Sequence, residues 1–504
     1  MLINFSGKIV GFLIRKRIYQ INDMLENPHE KQRDTLTYLI NKAESTQFGK
    51  EHHFSEIHSV DLFKQYVPLS NYETNLNYFE AISRGEKDVL WPGKTEWFAK
   101  SSGTTSARSK YIPVTEHTIK DCHFKGGKDL LTLYEDRFSS IDLFSGKTLL
   151  LGGSHGLGEF SDVAKQGDLS AIIIENLPLW VNRRQCPEKE TALLSEWEEK
   201  LHKIAHESIQ EDIRSISGVP SWMVVVLRSV LEITGKQTII EVWPNLELLM
   251  HGGVSVEPYR EELISLIGKP INFQETYNAS EGFFAIQDDP ERRDMLLMLD
   301  YGIFYEFIPL DELEKDNPNT ITLEDVELNT VYALVISTNS GLFRYQIGDT
   351  VEFTSLNPYR IKIVGRTKHF INAFGEELMV ANAEQAIANC CKLFNVELFD
   401  YTAGPKFLEE GSCGYHQWVI EFKSMPKDLQ EFEQQLDLEL QQLNSDYQAK
   451  RYNDFILRSL KIKAVPSKTF YNWLKSQNKL GGQNKVPRLS NSSKYIDELV
   501  KFSG

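Results

Sequence analysis

The sequence predicts a large α/β fold built on more than one sheet, followed by a small α+β unit. Three observations predict it. Apolar runs of strand length recur in the first two thirds of the chain: KTLLLGG, SGVPSWMVVVL, LELLMHGG, KPINFQETY and TVYALVIST. Helical patterns, Ser195–Glu207 and Pro258–Ile267, separate several of them. After about residue 370 the texture changes, with AEQAIANCCKLF as a helix, GYHQWVIEF as a strand and DLQEFEQQLDLELQQLNSDYQ as a long acidic helix. FILRSLKIKAV then reads as a strand and TFYNWLKSQNK as a helix. The junction Gly365–Glu377 is flanked by glycines, as a hinge is. It divides the chain into 1–367 and a mobile 368–504.

The N-terminal stretch MLINFSGKIVGFLIRKRIYQ reads as an amphipathic helix. Its apolar run Ile9–Ile14 is short, Arg15, Lys16 and Arg17 follow, and no small-residue cleavage site appears, so it is not a signal peptide. Leu36, Leu39 and Ile40 share a face of a second helix over residues 30–46. A third begins at Thr115-Glu116 and continues through EHTIKDCHFKGGKDLLTLYEDR. No run of ~20 apolar residues exists to span a bilayer.

Composition narrows the function. Hydrophobic residues make up 41% of the 504, enough for a large core. The 55 Lys+Arg against 71 Asp+Glu leave a net charge of −16, which argues against nucleic acid and anionic membrane as partners. Five cysteines without a CxxC pair suggest a reducing, cytoplasmic setting.

Two motifs mislead. SGKT, Ser145–Thr148, resembles the end of a P-loop, but position 141 is Ile and a strand-like LLL follows where a helix is required. GGSHG, Gly152–Gly156, matches a nucleophile elbow around Ser154, yet GLGEFSD follows, a poor first turn for a helix. A glycine-rich turn at a strand end is the simpler reading, and a Ser154 hydrolase the competitor.

Three stretches point elsewhere. SSGTTSARSK crowds Ser101, Ser102, Thr104 and Thr105 around Gly103, with Arg108 and Lys110 behind them. Such a loop is either a solvated polar turn or a donor array for phosphate oxygens. In QETYNASEG, Tyr277 offers a ring for a base, and Glu281 a carboxylate of the kind that works beside phosphates through Mg²⁺. In GLFRYQIGDTVEF, Asp349 follows Gly348 at a strand-end turn and can accept from both hydroxyls of a ribose, or close an ordinary Asx turn.

Taken in this order, the hydroxyl-rich loop, Y-x-x-S-E-G, Y-x-x-G-D and the glycine hinge resemble the adenylate-forming ligases. FGKEHHFSEI, VPLSNYE, VLWPGKTEWFAKSSGTTS, YNASEG and LFRYQIGDTVEF resemble one branch, the auxin-responsive Gretchen Hagen family of acyl acid–amido synthetases. The resemblance covers nearly the whole chain. It implies ATP and Mg²⁺, a carboxylic acid and an amine or amino acid as partners, and amide formation through an acyl-AMP. It implies that Ser101, Ser102, Gly103, Thr104, Thr105 and Lys110 hold the phosphates. Gly253, Val254, Tyr277 and Asn278 would frame adenine, and Asp349 and Arg366 would hold the ribose. Glu281 would hold Mg²⁺, and Lys485, in GGQNKVPR, would be the catalytic lysine that the small unit delivers. Trp222, Met223 and Val226 are candidate walls of the acyl pocket. Thioester formation with coenzyme A, the Ser154 hydrolase and a non-catalytic ATP sensor remain as alternatives.

Overall fold

The structure is a computed structural model that describes residues 16–503, apart from 102–109, 140, 153–156, 195–196, 254–255, 257–258, 314, 316, 367–369, 409–412 and 478–485. A 12-stranded sheet runs through it. One half is parallel: Gln185–Cys186, Lys147–Leu150, Ile213–Gly218, Leu248–Gly252 and Asn272–Ala279 lie side by side. From Asn272–Ala279 onward the pairing is antiparallel, through Gly282–Ile286, Met295–Leu297, Tyr359–Arg366, Tyr345–Leu356, Val331–Thr338, Ile303–Pro309 and Ile321–Thr322. Strands such as Gly282–Ile286 are buried along their whole length, which is why they read as apolar runs rather than alternations. A second sheet orders Lys110–Val114, Trp97–Ser101, Ala164–Gly167 and Gly158–Ser161.

The mixed α/β class with several sheets is what the sequence predicts, and most elements fall where expected. SGVPSWMVVVL does not. Ile213–Gly218 is a strand, but the apolar run after it opens the helix Pro220–Thr234. Pro220 occupies the first turn, where its missing N–H costs nothing, and Gly235 closes the helix at φ 65°. A helix buried on most of its surface shows no polar stripe, so its first half imitates a buried strand. Trp222, Met223 and Val226 therefore lie on a helix. The acidic helix is two helices, Leu429–Leu443 and Ser445–Lys450, broken at Asn444, whose side chain caps the second by accepting the Tyr447 N–H at 2.8 Å. FILRSLKIKAV is extended only at Lys461–Ala464.

Beyond residue 369, Phe370–Ile371 pairs with Leu378–Met379, and Leu398–Phe407, Gly414–Phe422 and Lys461–Ala464 form a three-stranded sheet. One apolar cluster joins this part to the large sheet: Met223 and Val226 share it with Phe374, Trp418 and Leu436. Another fills the antiparallel half around Phe284, Tyr301, Tyr305 and Phe353.

Residues 1–15 of the predicted N-terminal helix lie outside the described residues, but 16–26 are helical. Arg17, read as part of a polar flank, is in fact buried. It donates to Asp129 at 2.8 and 2.5 Å and to Asp300 at 2.8 and 3.1 Å, and the Tyr301 hydroxyl donates to Asp129 at 2.9 Å.

Candidate active site

Two of the parallel strands, Ile213–Gly218 and Leu248–Gly252, end in glycines. A Cβ at Gly218 would meet Leu151 Cβ at 2.7 Å, and one at Gly252 would meet the Thr276 carbonyl oxygen at 2.7 Å. Larger residues would push these strand ends apart. Gly253 follows at φ 81°, a conformation open to glycine and strained for others. In open α/β sheets the crevice beyond the carboxyl ends of the strands is where ligands bind.

The predicted base and ribose residues meet at that edge. Tyr277, near the end of its strand, donates its hydroxyl to Asp349 Oδ2 at 2.6 Å, and both side chains are buried. Asp349 follows Gly348, at φ 90°, and stands opposite Arg366 in the strand register. The Tyr277 ring packs on Phe284 at 4.7 Å between centroids. Asn278, one residue on, is exposed.

Glu281 sits in the turn between Asn272–Ala279 and Gly282–Ile286 and is 9% exposed. The Tyr345 hydroxyl is pushed well above its ordinary value, first by burial and then by the charges of Glu281 and Glu73. Glu281 thus stands near the start of the strand that carries Asp349. Arg344 braces that start: buried, it pairs with Glu306 at 3.1 Å and donates to the Val67 carbonyl at 2.8 Å. Among the described residues no cluster of three metal-ligating side chains exists. A lone hard carboxylate suits a cation that takes its remaining ligands from phosphate and water.

The hydroxyl-rich loop joins two antiparallel strands, with Ser101 opposite Lys110. Ser102, Gly103, Thr104 and Thr105 lie outside the described residues, as do Val254, Ser154 and Lys485. Lys110 Nζ is 5.4 Å from the centroid of the Tyr72 ring, and Tyr72, like Glu281, is among the groups that act on Tyr345. The loop's exit strand is clamped by a distant segment. Thr115 Oγ1 donates to the Asn339 carbonyl at 2.8 Å, Thr118 Oγ1 to Asn339 Oδ1 at 3.1 Å, and Ser340 Oγ to the Pro113 carbonyl.

Trp222 is 6% exposed, while Met223 and Val226 are wholly buried in the cluster that reaches the small unit. The strand Lys147–Leu150 begins inside SGKT, against a P-loop. The next described element after GGSHG is a strand, Gly158–Ser161, where a nucleophile elbow needs a helix.

Two buried histidines, His123 and His251, were not anticipated from the sequence. His123 belongs to a π-helical turn, Thr118–Phe124, that presses on the Glu281 hairpin, with the Phe283 N–H donating to Cys122 Sγ at 3.2 Å. Burial pushes His123 down to about 4, a shift the Asn278 side chain opposes. His251, beside Gly252, is pushed down to about 3 by burial and then by Arg260. A lone histidine at the end of an apolar run, LELLM, was the only signal for His251; His123, between Asp121-Cys122 and Phe124-Lys125, carried none.

A mixed sheet of this order with a small α+β unit behind it is the architecture of the adenylate-forming enzymes. It resembles 2-hydroxyisobutyryl-CoA ligase with 2-HIB-AMP and CoA bound, at a TM-score of 0.57 and 10% identity over 94% of this chain and 92% of that one. It also resembles AtGH3.15 acyl acid amido synthetase in complex with 2,4-DB, at 0.62 and 16% over 96% and 95%. The chain belongs to the GH3 family: residues 17–271 match its N-terminal domain, 296–366 its central domain and 381–494 its C-terminal domain. It is 22% identical to the 4-substituted benzoates-glutamate ligase GH3.12 of Arabidopsis thaliana, over 95% of this chain and 96% of that protein. It is 23% identical to the indole-3-acetic acid-amido synthetase GH3.4 of the same plant, over 96% and 94%.

Proposed function

We infer that this chain is an ATP-dependent acyl acid–amido synthetase. The Tyr277–Asp349 hydrogen bond at the carboxyl edge of the parallel strands carries the reading. It brings the Tyr277 ring beside the Asp349 carboxylate, which supports base-stacking and ribose-accepting roles for them. The family members named above join an acid to glutamate or form an indole-3-acetic acid amide.

A substrate carboxylate attacks the α-phosphorus of ATP, an oxygen–phosphorus bond forms, and pyrophosphate leaves with its electron pair. An amine, supplied by an amino acid, then attacks the acyl carbon. The carbon–nitrogen bond forms, AMP leaves, and the amine proton passes to solvent. Ser101, Ser102, Gly103, Thr104, Thr105 and Lys110 hold the phosphates, and Gly253, Val254, Tyr277 and Asn278 frame adenine. Asp349 and Arg366 take the ribose. Glu281 holds Mg²⁺, which when bound offsets phosphate charge. Lys485 meets the charge that builds at the α-phosphate, and Trp222 lines the acid pocket. Positioning accounts for much of the rate, and closure of 368–504 over 1–367 shields the mixed anhydride from water. The described cysteines are all free, which fits a cytoplasmic setting.

The test is ATP–pyrophosphate exchange across a panel of carboxylic acids, then mass analysis of products formed with mixed amino acids. An acid-dependent exchange and an amide product are expected. Products that require coenzyme A, or ester cleavage without ATP, would overturn the reading.

A further inference from the structure

Lys450 ends the helix Ser445–Lys450 and is only 4% exposed. Lysines at helix ends ordinarily keep the ammonium in water. This one lies 4.3 Å from the centroid of the Trp222 indole, on the helix Pro220–Thr234 of the large sheet. Desolvation pushes it down to about 7, with Asp446, Glu376 and Glu377 opposing the shift. The backbone is shaped to admit it. Gly375 stands at φ +85°, and a Cβ there would lie 3.1 Å from Lys450 Cε and 3.3 Å from Nζ.

The loop that carries Gly375 is held from both sides. Glu376 Oε2 accepts the Phe374 N–H at 2.6 Å, while Oε1 pairs with His416 Nε2 at 2.7 Å, both side chains fully buried. On the other side, the Tyr259 hydroxyl donates to the Ala373 carbonyl and Asn372 Nδ2 to the Gly253 carbonyl, each at 3.5 Å. Lys450 thus reaches the large sheet where the hinge segment already touches the predicted nucleotide edge.

We propose that Lys450 is a positioning residue: its ammonium, seated on the Trp222 indole, holds the wall of the acid pocket against the small unit, so that acid affinity depends on it. The proposal rests on the acid-pocket reading of Trp222. A cation over an indole is attractive in a dry site, and the indole in turn loses freedom to tilt. Because Lys450 acts through Trp222, its influence should fall on the affinity for acid rather than on nucleotide binding.

The experiment uses the full chain at about pH 6, below the Lys450 value of about 7 so that the amine is charged, and three variants, Lys450→Met, Lys450→Arg and Trp222→Leu. Pyrophosphate exchange gives KM for acid and for ATP separately, and urea unfolding gives the midpoint. Lys450→Met keeps the apolar stem and removes the charge. It is expected to raise KM for acid roughly three- to thirty-fold, the range of a desolvated cation–π contact. KM for ATP should stay within about twofold and the urea midpoint should hold. Lys450→Arg, whose planar cation also stacks on indole, should restore KM for acid. Parallel rises in both KM values with a lowered midpoint would make Lys450 a packing residue and overturn the proposal. If Trp222→Leu raises KM for acid while Lys450→Met does not, the coupling fails and the pocket reading stands. If neither variant changes it, the pocket reading has failed.

Discussion

Replacing Asp349 by alanine removes two things. The ribose loses a charged acceptor, worth about 1.5–3 kcal/mol for hydrogen bonds to an ionised group. At about 1.4 kcal/mol per decade that weakens ATP binding ~10- to 150-fold. The buried Tyr277 hydroxyl also loses the carboxylate it reaches at 2.6 Å, and an unsatisfied buried donor costs about 1–3 kcal/mol of stability. Tyr277→Phe separates the two. It keeps the ring, so ATP affinity should fall no more than about threefold, and it removes the donor, so in the double variant the stability losses should not add. Calorimetry with ATP and urea unfolding of the single and double variants make the measurement. Unchanged ATP affinity in Asp349→Ala, with stability alone reduced, would show the pair to be a core hydrogen bond and refute the ribose assignment.

Lys485→Ala should slow acyl-AMP formation ~10²-fold or more while sparing the reaction of supplied acyl-AMP with amine, and single-turnover kinetics of each half reads this directly. Glu281→Gln should raise the Mg²⁺ concentration needed for half-maximal exchange, whereas Ser154→Ala should leave exchange intact; loss of all activity in folded Ser154→Ala would restore the hydrolase. Arg17→Met removes the cation paired with buried Asp129, leaving the Tyr301 hydroxyl to donate to it, and should cost about 3–5 kcal/mol in urea unfolding. His123 and His251 are depressed to about 4 and about 3, so between those values and the ordinary 6.5 the unfolded chain binds more protons. Their contribution to stability is complete above pH 6.5 and is lost as pH falls toward the folded values; His251→Gln should flatten the unfolding midpoint across that window.

Much of this fold could be read from sequence because buried strands declare themselves: LELLMHGG and TVYALVIST are strands where their apolar runs lie. The run in SGVPSWMVVVL failed because apolarity reports burial, and a buried helix turn and a buried strand share it. Pro220 and Gly235 were the better witnesses. Glu281 and Asp349 drew attention in the sequence because Gly282 and Gly348 stand beside them, and Tyr277 because it is an aromatic at a strand end. In the fold Glu281 is in a turn, while Tyr277 and Asp349 lie within strands, Asp349 not in the turn expected. Arg17, His123, His251 and Lys450 were not legible. Each is a polar residue whose burial depends on a partner far along the chain, and no local pattern records that.

The clamp on the hydroxyl-rich loop has a consequence for the order in which the protein is made. Thr115 waits for Asn339, 224 residues later. At roughly 5–20 residues per second, a ribosome needs about 10–45 s to supply the partner. Throughout that interval the strand Lys110–Val114 lacks the hydrogen bond that Ser340 will give it. If the loop holds phosphate as proposed, nucleotide protection in timed translation should switch on only after Asn339 and Ser340 have left the exit tunnel.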